Sequence, residues 1–144
     1  MRRFVTDDKE RVNQWLYSRV GRASPFAPAS SFNAIGVEDE SGNLIAGVAF
    51  DSFVPEVRCT MHCAGIAVNW CSKRLLKFCF EYAFNTAKCK VIVNVVPASN
   101  EASIKFTKHI GFTESTRIKD GAIDGDLVVL TLHRDDCKWI KGIL

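Results

Sequence analysis

The residues of this chain with the plainest chemical use lie in one short stretch, Asn69-Trp70-Cys71-Ser72-Lys73-Arg74-Leu75. A strand pattern ending at Val68 runs straight into a strong helix pattern there, and the first backbone N–H groups of a helix have no acceptor inside it. Residues 71 to 75 therefore turn free N–H groups outward at the positive end of the helix dipole, with Lys73 and Arg74 adding charge beside them. The chemistry on offer is capture of an anion, a phosphate above all. An ordinary hydrated helix start is the competing reading, since every helix has one. Six cysteines are the other reactive groups: Cys59, Cys63, Cys71, Cys79, Cys89 and Cys137. They form no C-x-x-C, and the histidines are not spaced as companion ligands, so the pattern favours buried reduced thiols over zinc or a disulfide framework. Cys63 or Cys71 would need an activating base to act as a nucleophile, and no His–Asp pair accompanies either along the sequence.

Composition bounds what these residues can belong to. At 144 residues the chain is expected to form a single domain over 1–144, large enough to bury roughly 70% of its extended surface. A content of 47% hydrophobic and 24% charged residues is that of a soluble globular protein. No apolar run approaches the ~20 residues of a membrane span. The N-terminus turns acidic at Asp7-Asp8 before any stretch of signal-peptide length, so a cytoplasmic location without membrane contact is expected. The net charge of +3 is mild. Arg2, Arg3, Arg11, Arg19 and Arg22 make the N-terminal stretch locally basic, which suits either an anionic partner or a solvated helix face. No basic run interleaved with aromatics, the mark of a single-strand binder, is present.

The elements that must position the helix start follow from periodicity. Residues 7–20 read as an amphipathic helix on Val12, Trp15, Leu16 and Arg19, ended by Gly21. Residues 23–32 are a proline-punctuated loop in which Phe26 and Phe32 stand. Strands over about 33–39 and 44–52 flank the turn Glu40-Ser41-Gly42-Asn43, and a third spans about 58–68. The helix over 71–87 carries one polar stripe, Arg74, Lys77, Glu81, Asn85 and Lys88, and apolar residues elsewhere, so it is largely buried. Val91 to Val96 is a β-branched run of the kind covered on both faces. Asn100 caps a further helix with Ala102, Ser103, Phe106 and Ile110 inward, and Gly111 closes it. Strands over about 112–119 and 126–133 end the chain, joined by the turn residues 120–125. This is an α+β domain on a central mixed, mostly antiparallel sheet flanked by helices, with one β-α-β crossover.

Several pieces of the second half occur together in a known pattern. Ile66-Ala67-Val68, the basic turn, the helix ending Phe80-Glu81-Tyr82-Ala83-Phe84, the strand 91–96, Asn100-Glu101-Ala102-Ser103 and Lys108 to Glu114 with Gly111-Phe112 resemble the GNAT acetyltransferases. The likeness extends over roughly residues 33–133 and is nearest to the branch of ribosomal-protein acetyltransferases, with Arg117, Gly121 and Asp126 also in place. The resemblance implies a GNAT-like sheet whose strands ending at Val68 and spanning 91–96 splay apart to admit the pantetheine arm of acetyl-CoA. It implies pairing of that arm with Ile66, Ala67 and Val68, pyrophosphate on Cys71, Ser72, Lys73, Arg74 and Leu75, and Asn100 and Ser103 near the thiol end. The sequence departs from the family at two points. The pyrophosphate turn, which small residues usually open, contains no glycine. Thr107 stands where many members carry a tyrosine as general acid.

The activity implied is transfer of an acetyl group from acetyl-CoA to a primary amine of a protein or small molecule, by direct attack and without a metal. The amine must lose a proton, and Glu56, His62 and Asp51 come from strands near the acceptor side in this family, with Thr107 as a further candidate for orienting the thioester. An imidazole suits the task, although strand alternation puts His62 in phase with Ala64 and Ile66. Two alternatives stand beside this one: a noncatalytic GNAT-fold binding module, and a GNAT-fold enzyme that modifies nucleic acid, for which the basic N-terminal stretch speaks. The assembly is left open, a homodimer included.

Overall fold

The computed structural model describes residues 1–20 and 31–140. Gly21, Arg22, Phe26 and most of the proline-punctuated loop lie outside the described residues. Seven strands form one sheet: β1 (Arg3–Val5), β2 (Phe32–Glu38), β3 (Leu44–Val54), β4 (Arg58–Gly65), β5 (Val91–Pro97), β6 (Thr113–Ala122) and β7 (Gly125–His133). Their order is β1-β2-β3-β4-β5-β7-β6. Every neighbouring pair is antiparallel except β4 and β5, the strands of the crossover. Helices α1 (Lys9–Val20), α2 (Lys73–Glu81) and α3 (Glu101–His109) flank the sheet. The mixed, mostly antiparallel α+β architecture expected from the sequence is the one observed.

Strand alternation sends successive side chains to opposite faces, and the two faces take different helices. On one face Val12 and Leu16 of α1 pack with Val5, Phe32, Ala34, Leu44 and Ala49. The helix sits close because the cross-strand pair Gly36 and Gly47 lies under it. A Cβ at Gly36 would come within 2.8 Å of Val12, and one at Gly47 within 3.1 Å of Leu16. On the other face Leu75, Leu76, Cys79 and Phe80 of α2 meet Phe50, Met61, Ile92, Phe112 and Leu130 in the main core.

Three boundaries differ from the expected ones. The helix read over 71–87 is α2 followed by a π-helical turn, Tyr82–Thr86, in which Ala87 N–H reaches back to Tyr82 O at 2.8 Å. Ala83 and Phe84 continue the buried face of Leu75, Leu76, Cys79 and Phe80. Strand β4 ends at Gly65, three residues before Val68. The β6–β7 hairpin is tighter than read, because β6 runs on to Ala122, which pairs with Gly125. In α3, Ala102 is exposed and Thr107 takes the buried place.

The basic N-terminal residues turn out to have internal tasks. Arg2 bonds the carbonyls of Val68 and Asn69 at 2.7 and 3.0 Å. The Arg19 guanidinium lies 4.2 Å from the ring centre of Trp15. Arg3 and Arg11 both donate to buried Glu38, at 3.1 and 2.6 Å. The guanidinium of Arg11 first, and that of Arg3 next, hold the Glu38 carboxyl below its ordinary value near 4.5. A carboxylate depressed on folding adds stability above its unfolded pKa, and that stability is lost as pH falls through the folded value. Glu38→Gln is therefore expected to lower the melting temperature at pH 7 and to flatten its fall below about pH 4.5, in melts recorded from pH 7 to pH 3. A variant with the wild-type acid profile would remove this ion pair from the account.

Candidate active site

The sheet opens in one place. Strands β4 and β5 pair through Arg58 with Val91 and Cys59 with Ile92. Beyond that point β4 stays on β3 as far as Gly65, and β5 stays on β7 as far as Pro97, so the two diverge. Asn94 is the wedge. Its buried side chain accepts the Met61 N–H at 2.9 Å where a β5 backbone carbonyl would otherwise serve. A polar residue inside the run Val91 to Val96 was the sequence signal for it.

The same ladder decides which groups face the gap. Ile66 N–H donates to Ile45 O at 2.9 Å, so the even residues of β4 bond β3 and the odd ones turn toward β5. Met61 is held by Asn94, which leaves the N–H and C=O of Cys63 and Gly65 along the open edge. At the edge expected from the sequence, Ile66 to Val68, part of the backbone is already engaged. Ile66 N–H is used by β3, Ala67 O accepts from Trp70 N–H at 3.3 Å, and Val68 O is taken by Arg2.

At the helix start, Ser72 is the N-cap of α2 and accepts the Leu75 N–H on its hydroxyl at 3.1 Å. The amides of Lys73 and Arg74 precede any intrahelical acceptor and remain the anion-facing pair. Their side chains part company. Arg74 lies over Phe4, 4.6 Å from the ring centre, whereas Lys73 lines a cavity of about 420 Å³ with Lys77, Lys138 and Trp139. Lys138 and Trp139 were not singled out in the sequence, because only the folded chain brings its C-terminal end to α2. Cys71 is half-buried just before the cap.

On α3, Asn100 is the N-cap and accepts the Ser103 N–H at 3.2 Å. That use accounts for an Asn at this position, and such caps stabilise by about 1 kcal/mol. Thr107 Oγ1 donates to Ser103 O at 2.7 Å, so its proton is committed to its own helix. Thr107 is also buried.

The proton-accepting candidates separate clearly. His62 and Asp51 sit diagonally across the β3–β4 ladder, and Nε2 of His62 lies 2.8 Å from Oδ1 of Asp51. Asp51 is buried and His62 partly so. A carboxylate only accepts, so Nε2 carries the proton and Nδ1 is the basic nitrogen. The pair lies three residues past the last β4–β5 bridge, on the face opposite α2. Glu56 does not join it. It occupies the β3–β4 turn with φ +62°, at the closed end of the divergence, about 20 Å along the strand from His62. The thiols are no better placed as nucleophiles. Burial pushes Cys63 up to about 12 and Cys71 to about 11, which leaves ~1 thiolate in 10⁴ at neutral pH for the latter. All six cysteines are free. Among the described residues no group of His, Cys, Asp and Glu is arranged to hold a metal, and no helix is long and apolar enough to cross a membrane.

Comparison of the whole fold with solved structures finds the same arrangement. A point mutant of the spermidine N-acetyltransferase of Vibrio cholerae superposes with a TM-score of 0.71 at 13% identity, over 98% of this chain and 96% of that one. The fold is that of an N-acetyltransferase. A second mutant of the same enzyme gives 0.69 at 14% identity over 98% of both chains, and a dodecameric form gives 0.67 at 13% identity over 94% of both. No family model and no curated protein sequence matches the chain. These neighbours are spermidine N-acetyltransferases, so the ribosomal-protein branch read from the sequence is not the one they represent.

Proposed function

We propose that this protein is an acetyl-CoA-dependent N-acetyltransferase whose acceptor is a primary amine. The observation that carries the reading is the β4–β5 divergence, with a His–Asp pair at its base and free strand edge along one side. The residues present fit the donor. Cys63 and Gly65 offer backbone groups for an amide-bearing arm, the Lys73 and Arg74 amides suit a pyrophosphate, and the lysine-lined cavity beside Trp139 suits a nucleotide end. Acetyl-CoA supplies an activated thioester carbonyl; the chain supplies position and proton transfer. His62 Nδ1 accepts the proton that the attacking amine must lose, and Asp51 holds the ring in the tautomer that makes this possible. The amine nitrogen gains the acetyl group and the donor leaves as its thiol, so no acyl-enzyme is needed.

Spermidine, the acceptor named for the structural neighbours, is the first amine to try, with a lysine peptide as its rival. Titration calorimetry with acetyl-CoA, followed by thiol-release assays on both amines, tests the proposal. Binding with turnover of either amine is expected. Heat of binding without turnover on any amine would favour a noncatalytic module, and no binding at millimolar acetyl-CoA would sink the enzymatic reading.

A further inference from the structure

We infer that Trp70 is a lid on the β4–β5 cleft, closed in the free protein and displaced when the donor enters, so that it sets how fast and how tightly acyl-CoA is captured. The inference rests on the function proposed above and adds a residue that the reaction itself does not need.

The indole lies flat on the last residue of β4. A Cβ built on Gly65 would meet three atoms of the Trp70 ring at 2.2 to 2.4 Å, so only glycine allows the ring to rest there. From that seat the ring stacks on Phe106 of α3, with centroids 5.5 Å apart and planes 27° from parallel. Gly65 belongs to the strand on one side of the divergence, and α3 follows the strand on the other. Two stacked rings thus bridge the gap at its open end, beside the Gly65 backbone groups that an incoming amide arm would pair with. The cavity beside Lys73 and Trp139, and another beside Asn33 and Tyr82, lie elsewhere, and neither is lined by a residue of β4 or β5.

The ring is mounted so that it can leave. Trp70 ends a tight turn that belongs to neither strand nor helix, closed by one 3.3 Å bond from its N–H to Ala67 O. Asn69 within the turn has φ +57°, a conformation asparagine accepts more readily than most residues. The turn is tied down by the exposed Arg2 guanidinium on the Val68 and Asn69 carbonyls. Exposed hydrogen bonds and a ring stack are the kind of contact that opens locally without unfolding the core. This also gives the glycine-free turn a purpose: it carries a bulky cover in place of a permanently open anion cradle.

A closed lid lowers apparent affinity by the fraction of molecules that are open. Trp70→Ala is therefore expected to tighten acetyl-CoA binding about tenfold and to raise its association rate by a similar factor. Gly65→Ala, which keeps the indole but denies it its seat, is expected to act in the same direction, and Arg2→Ala more weakly so. The chain has three tryptophans. The emission that Trp70 contributes, taken as the difference between wild type and Trp70→Phe, should shift to the red as acetyl-CoA is added. Thermal melts establish which variants are folded. Weaker binding by both Trp70→Ala and Gly65→Ala, or equal affinity and rate with an unmoved emission band, would overturn the lid while leaving the donor reading intact. If neither wild type nor Trp70→Ala binds acetyl-CoA at millimolar concentration, the proposed function falls and the lid with it.

Discussion

His62→Gln is expected to lower the rate of acetyl transfer by about a hundred- to ten-thousand-fold, the range over which a positioned base acts, and to leave acetyl-CoA affinity unchanged. The imidazole reaches the cleft from β4 with Nε2 tied to Asp51 at 2.8 Å, so Nδ1 is the only nitrogen of the ring with a lone pair to offer. A glutamine keeps a polar side chain of similar reach but has no basic nitrogen. Asp51→Asn should follow in the same direction by a smaller factor, because a carboxamide can stabilise the other tautomer and no longer supports the charged ring. Both effects should fall on kcat, since neither residue faces the strand edge or the helix start where the donor would be held. Initial rates at saturating acetyl-CoA, with the released thiol as readout, measure this. Wild-type turnover by His62→Gln would move the base to another group or to water.

Asn94→Leu is expected to cost about 1–3 kcal/mol of stability, the penalty for leaving the Met61 N–H buried without its acceptor. For a chain of this size that corresponds to roughly 2–4 °C in melting temperature per kcal/mol. Exposed Val95→Ala on the same strand is the control and should change little. A second consequence separates Asn94 from an ordinary core residue. Its side chain occupies the place where β5 would continue to pair with β4, so in its absence the ladder can lengthen, which returns part of that cost by giving the Met61 N–H a β5 carbonyl. Amide exchange at Cys63 and Gly65 should then slow, and acetyl-CoA affinity should fall. Stability lost with exchange at those two amides unchanged would mean that Asn94 only satisfies a donor and does not hold the cleft open.

Much of the fold was legible because its signals are local. The apolar runs at 34–37 and 44–50, the β-branched run at 91–96 and the mostly apolar helix from Leu75 to Phe84 each state their element and their burial within a few residues. Turn residues marked the hairpins, although the extension of β6 to Ala122 required knowing that Ala122 had Gly125 as a partner. The π-helical turn was not legible, since Tyr82-Ala83-Phe84 continues the apolar spacing of the α-helix before it.

The candidate site divides along the same line. From sequence alone came the helix start with Ser72, Lys73 and Arg74, the cap at Asn100, the crossover between Val68 and Val91, and His62 and Asp51 as separate basic candidates. Tertiary structure decided which of these act together. The β3–β4 register joined His62 to Asp51 across eleven positions of sequence and left Glu56 at the far end of the strand. Hydrogen-bond phase turned Cys63 and Gly65 toward the gap, and helix geometry turned the Thr107 hydroxyl onto Ser103. The reason is physical. Periodicity records the face a side chain must bury, but the partner of a given N–H or carboxylate is set by register between strands distant in the chain, which no local pattern encodes.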